Sequence, residues 1–124
     1  MQALLLNKAI NQFQEVELSE DIEKQAAEIR DLLQCSVFDA PLHQIGTGLY
    51  RILADDEGWP RVWDGIEDHR LAAQLANGEP MIYGNLLFVR QDGTLLAGLA
   101  AEDIANIRAH SEVLPRYGLV VSLG

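Results

Sequence analysis

At 124 residues, 48% hydrophobic and 23% charged, the chain has the size and composition of one folded domain rather than of a disordered segment. Its net charge of −10 is spread along the chain: the first 62 residues carry 11 acidic and 5 basic side chains, and the remainder carry 8 and 4. Such a charge repels nucleic-acid phosphates and anionic lipid, so direct nucleic-acid binding and membrane attachment are disfavoured, whereas a basic surface on another protein is attracted.

Cys35 is the only cysteine, which excludes an intrachain disulfide and a thiolate metal cage. No apolar run approaches the roughly 20 residues of a membrane span, and Met1–Ile10 lacks the basic start of a secretory signal. A soluble cytoplasmic protein is the expectation.

In chain order, Gln2–Leu6 reads as a first strand, internal because its apolar character is continuous. Phe13–Leu18 alternates, with Val16 and Leu18 on one face and Glu15 and Glu17 on the other, as a half-exposed strand paired with the first. Ser19 is placed to cap a helix over 20–34, whose inner stripe is Ile22, Ala26, Ile29 and Leu33. Strand character resumes over 35–42 and again over 47–54, ahead of an acidic turn, Asp55-Asp56-Glu57-Gly58. A second helix is expected over 66–76, stopped by Asn77-Gly78.

The run MIYGNLLFVRQDGTLLAGLAAEDIANIRAH, residues 81–110, is the most ordered signal. It predicts a strand over 82–90, a turn at Gln91-Asp92-Gly93, a strand over 94–99 and a helix over 101–110. Residues 117–123 predict a last strand. The fold class expected is α+β, a single mostly antiparallel sheet with two or three helices packed on one face.

The short motifs Ala3-Leu4-Leu5-Leu6-Asn7, Val16-Glu17-Leu18, Asp55-Asp56-Glu57-Gly58, Ile82-Tyr83-Gly84-Asn85 and Leu99-Ala100-Ala101-Glu102-Asp103-Ile104 resemble a family known as domain of unknown function 3846, over about residues 1–108. Its members are short proteins of phages, plasmids and other mobile elements, and the resemblance implies such an origin but brings no catalytic residues. The chain departs from the family's pattern at Leu33-Gln34-Cys35, where the family often has paired glycines. It departs again at Trp59-Pro60-Arg61-Val62-Trp63, where the family often has an Asn-rich segment.

Motifs that carry chemistry are weak. Gly46-Thr47-Gly48 lacks the ending and context of a phosphate loop. His43, His69 and His110 lack ligand spacing, Asp68 and His69 diverge on a helix, and Ser111 and Ser122 lack a nucleophile context. Cys35 reads as a buried inert thiol. Asp55, Asp56 and Glu57 could offer oxygens to a hard cation, but they read first as a solvated turn. Gly84 and Gly98 read as bends or bulges, with close ligand approach as the alternative. No cofactor or metal is expected.

Trp59 and Trp63, in a stretch without period beside the acidic turn, read first as rings closing the end of the core; as a candidate partner contact they are rimmed by Asp64, Glu67 and Asp68, with Asp55, Asp56 and Glu57 in the adjoining turn. The leading expectation is a non-enzymatic module binding a basic host protein, one version being an inhibitor of a host defence or nucleic-acid-binding protein. The alternatives are a small ligand-binding domain or enzyme with a pocket near the 81–99 strands, and an assembly subunit pairing through a sheet edge such as 117–123. A homo-oligomer is compatible with all three.

Overall fold

The computed structural model describes residues 1–56, 71–75 and 81–124, the side chain of Met81 apart. The first two strands form as the apolar pattern predicts. Strand β1 (Gln2–Asn7) lies between β2 (Gln12–Glu17) and β8 (Leu86–Asp92), and is buried at every position from Ala3 to Leu6. Both faces of this strand are covered, which is why its sequence is continuously apolar instead of alternating.

Among the described residues the main sheet has seven strands. Its path runs β2-β1-β8-β5-β3, with β3 at Phe38–Asp39 and β5 at Gly48–Asp55; β4 (Leu42–Ile45) pairs with β5, and β9 (Leu95–Ala97) pairs with β8. All of these pairings are antiparallel.

Helix α1 (Ile22–Leu33) covers one face of this sheet. Ile29 and Leu33 pack with Ala3, Leu5, Leu53, Leu87 and Val89, the inward set of one strand parity. The cap is Asp21 and not Ser19: the Asp21 carboxylate accepts the N–H groups of Glu23 and Lys24, each at 3.1 Å. Ser19 instead donates its N–H and hydroxyl to the Glu28 carboxylate, at 2.8 and 3.1 Å. Of the expected inner stripe, Ile29 and Leu33 are buried and Ala26 is half-buried. Ile22 is 65% exposed, because the first turn lies beyond the apolar floor on which Ile29 and Leu33 rest.

The opposite face, with Leu4, Leu6, Tyr50, Ile52, Leu86 and Phe88, is covered by a second sheet and a second helix. This sheet is ordered β10-β11-β6-β7, with β6 at Leu71–Leu75, β7 at Met81–Tyr83, β10 at Ser111–Leu114 and β11 at Gly118–Leu123. The β11–β6 pairing is parallel and its other pairings are antiparallel. Helix α2 (Ala101–Ala109) sends Ile104 and Ile107 into the same core. The α+β class therefore holds, but the single-sheet expectation is corrected to two sheets, and the two described helices sit on opposite faces of the main sheet.

Three further expectations are corrected. Residues 71–75 form a strand and not part of a helix, and the remainder of that predicted helix lies outside the described residues. Leu71, Ala72 and Ala73 are buried in succession between β11 and β7, so sheet pairing overrides the helical preference of alanine. The strand predicted over 82–90 is two strands in two sheets, broken at Gly84, whose φ of 85° lets the chain bend from β7 into β8. Residues 117–123 do not provide a sheet edge: β11 lies inside its sheet, between β10 and β6, and β10 is a strand the sequence reading left out.

Candidate binding cleft

The strongest electrostatic feature is interior. Asp103, in the first turn of α2, accepts the Ala100 N–H at 2.8 Å and the Tyr50 hydroxyl at 3.1 Å. Arg90 of β8 grips it with Nε at 2.9 Å and with Nη2, while its guanidinium lies 5.3 Å from the Tyr50 ring centroid. The Arg90 guanidinium holds the Asp103 carboxyl below the usual carboxylate range, and burial pushes the Tyr50 phenol up. Asn106 closes the cluster, donating to Tyr50 Oη at 3.0 Å and to the Ile45 carbonyl at 2.7 Å. Every acceptor of this carboxylate is thus occupied by the protein's own donors. The cluster joins α2 to β5 and β8, with the Asp103 carboxylate buried and the Arg90 side chain partly in water.

Of the predicted contact residues, Asp55 is buried at the end of β5, opposite Phe38. Asp56 is exposed at the following turn and donates its N–H to the Val37 carbonyl at 3.1 Å. Glu57, Trp59, Trp63, Asp64 and Glu67 lie outside the described residues, as does the Asp68–His69 pair. The structure therefore separates Asp55 from Asp56 in exposure and does not display the expected acidic tip as one surface. Among the described residues, no group of three or more His, Cys, Asp or Glu side chains converges in a way that could hold a metal ion. Cys35 is half-buried against the α1 side of the core.

The arrangement that does present a concave surface lies elsewhere. Met1, Glu20, Ile22 and Gln25 form one wall of a cleft of about 420 Å³, and Leu95, Leu96, Ala97 and Gly98 form the other. Two of the large aliphatic side chains that the fold leaves exposed, Ile22 at 65% and Leu95 at 55%, both line it. The Met1 wall is fixed: its amino group donates to the Leu18 carbonyl at 2.6 Å and lies 3.4 Å from the Glu17 carboxylate. Gln25 is held too, donating from Nε2 to the Ser19 carbonyl at 3.0 Å. The far wall is built by the β8–β9 hairpin, in which Asp92 stands opposite Leu95 and Gln91 opposite Leu96.

The charged groups of the residues lining the cleft are the Glu20 carboxylate and the Met1 amine. Asp21 and Glu23 flank Ile22 in sequence, Glu17 pairs with the Met1 amine, and Asp92 is the register partner of Leu95; Lys24 is the basic side chain in this stretch of α1. A second hollow of about 460 Å³, at Asn11, Gln12, Phe13, Arg108, Ser111 and Leu119, is more open, and its Arg108 guanidinium already lies 5.4 Å from the Phe13 ring centroid.

The cleft is not legible in the sequence, where Ile22 falls on the apolar stripe of α1 and Leu95–Leu96 within a strand pattern. The available signal was the Leu95-Leu96 pair in a strand that follows a turn and ends at Gly98: adjacent apolar residues point to opposite sides of a strand, and a peripheral strand cannot bury both. The alternative reading places a pocket near Gly84 and Gly98. Gly98 lines the cleft, whereas Gly84 sits at the bend between the two sheets.

Comparison with protein-family models, with curated proteins and with solved structures finds no match to this chain. Among the described residues, no helix is long and apolar enough to cross a membrane.

Proposed function

We propose that this protein is a non-enzymatic binding module, cytoplasmic and encoded by a phage or mobile element, whose acidic surface engages a basic host protein through the cleft between α1 and β9. The observation that carries this reading is a concave surface lined by two exposed aliphatic side chains, Ile22 and Leu95, and by Glu20, on a chain of net charge −10. Apolar side chains left in water at one place, ringed by charge, are what a protein contact surface requires. The mobile-element origin rests on the motif resemblance alone, and occupation of a host defence protein's nucleic-acid groove is the specific version that the charge favours.

A binding role fits the cleft better than an enzymatic one. Its lining offers one carboxylate, Glu20, and no nucleophile paired with a base. The carboxylate with the most altered acidity, Asp103, has its oxygens occupied in the α2 junction.

The test is affinity capture from host lysate with the wild type, an Ile22→Lys/Leu95→Lys variant and a Trp59→Ala/Trp63→Ala variant. The reading expects a specific protein retained by the wild type and lost by the cleft variant; retention by a cleft variant that is folded by circular dichroism contradicts it. Loss by the tryptophan variant as well would extend the contact surface to residues 59–63.

A further inference from the structure

We infer that the cleft takes an extended basic segment of its partner, which adds as a strand to the outer edge of β9 and seats an aliphatic side chain against Ile22 and Leu96. This rests on the binding reading above and specifies its mode.

Four consecutive residues, Leu95, Leu96, Ala97 and Gly98, line the same cleft. Successive side chains of a strand point to opposite faces, so a groove lying over one face would be lined by alternate residues. The unbroken run fits a strand whose edge borders the groove, with Gly98, just beyond β9, lying against the Gln2 backbone. β9 pairs with β8 on one side, through Arg90↔Ala97, Gln91↔Leu96 and Asp92↔Leu95; among the described residues no strand pairs with it on the other. The chain rejoins β1 only after β9, where Leu99 donates to the Gln2 carbonyl at 2.8 Å. An open edge beside an apolar floor is the geometry of strand addition, in which main-chain bonds hold the guest and alternate side chains are read by the groove. A helical guest satisfies its own backbone and would leave the β9 edge unpaired.

Charge selects the guest. Glu20 lines the cleft and Asp92 stands in register with Leu95, beside a Met1 amine already paired with Glu17, on a chain of net charge −10, so lysine or arginine beside the seated aliphatic residue meets opposite charge. A second copy of this chain would instead bring two acidic surroundings and two net charges of −10 together. With three residues in β9, the paired segment is short, about 10 Å of extended chain.

The probe is a synthetic heptapeptide of alternating lysine and valine, titrated into the full-length protein and followed by the amide NMR signals of residues 95–98. Two further peptides carry N-methyl groups on every second residue, in the two opposite phases; a fourth has glutamate in place of lysine. Strand addition predicts saturable binding of the parent peptide, with loss of about tenfold or more in one N-methylated phase and near-parent binding in the other, because only one edge of the guest faces β9. The glutamate peptide is expected not to bind. No binding of the parent peptide, or any other pattern between the two N-methylated phases, overturns strand addition.

Ile22→Lys separates the two levels of the argument. Equal binding of the parent peptide by this variant, folded by circular dichroism, would place the peptide outside the cleft and defeat the binding reading itself. Binding that depends on Ile22 but is indifferent to N-methylation would defeat strand addition alone.

Discussion

Asp103 shows how one side chain fixes an element. It closes the first turn of α2 on the Ala100 N–H and ties that turn to Arg90 and Tyr50 on the main sheet. Replacing it with alanine leaves Tyr50 and Arg90 without their acceptor and is expected to cost about 3 kcal/mol, the low end for breaking a buried pair, because Arg90 remains partly in water. The pH dependence has a definite sign. A carboxyl held below its ordinary range is less protonated in the folded chain than in the unfolded one, so its contribution is present at neutral pH and falls away as the pH drops below about 4. Denaturant unfolding of wild type and Asp103→Asn is therefore expected to show a stability gap at pH 7 that narrows toward pH 2.

Gln34 supplies a second prediction at the residue scale. It ends α1 with φ 53°, in the left-handed region that favours glycine. Gln34→Gly is expected to stabilise the protein by about 1 kcal/mol, read as a rise in the denaturation midpoint. The need for this conformation is not legible in a sequence that offers glutamine. Ser19 similarly looked like the better cap, yet Asp21 stands one residue before the helix, while Ser19 is engaged by Glu28.

Elements were readable where a single rule governed them and misread where tertiary pairing decided. β1, β2, α1, β5 and α2 follow from apolar period and caps. Residues 71–75 do not, because a short Leu-Ala-Ala run suits either a buried helix or a buried strand, and its partners lie far away in sequence, on β11 and β7. The apolar run from Met81 to Arg90 concealed two sheets because the residues on both sides of Gly84 are strand-formers. The division of the core into two layers makes different predictions for neighbouring residues. Phe88 faces the second sheet and α2, and also approaches Phe13 with ring centroids 6.4 Å apart; Leu87 faces α1. Phe88→Ala is expected to cost about 3–5 kcal/mol and Leu87→Ala about 2–5 kcal/mol by chemical denaturation. Ile22→Ala and Leu95→Ala, at side chains already largely in water, should change stability by no more than about 0.5 kcal/mol. That contrast separates residues that build the fold from residues that the fold holds outward.

For the molecule as a whole, charge and shape point to the same exchange. A chain of net charge −10 gains long-range attraction to a basic partner, and a cleft edged by Glu20 and floored by aliphatic side chains gives that attraction a place to end. Charge supplies rate and selectivity, while apolar contact and backbone pairing supply residence. Binding to a basic partner should accordingly weaken several-fold as salt rises from about 50 to 200 mM, mainly through slower association, with Leu95→Lys acting mainly on dissociation. The sign of the chain's own charge was legible in its composition. The location of the surface was not, because it depends on α1 beginning beyond the apolar floor and on β9 stopping after three residues, both consequences of how distant segments pack.

The most direct measurement places a photo-crosslinking amino acid at position 22, 95 or 113 in turn and irradiates the protein in host cells. Val113 is the control, since it is 76% exposed on β10 and lies outside the cleft lining. The account predicts one discrete adduct, with the same basic protein, from positions 22 and 95 and none from position 113. Adducts from position 113 with silence at 22 and 95 would contradict it.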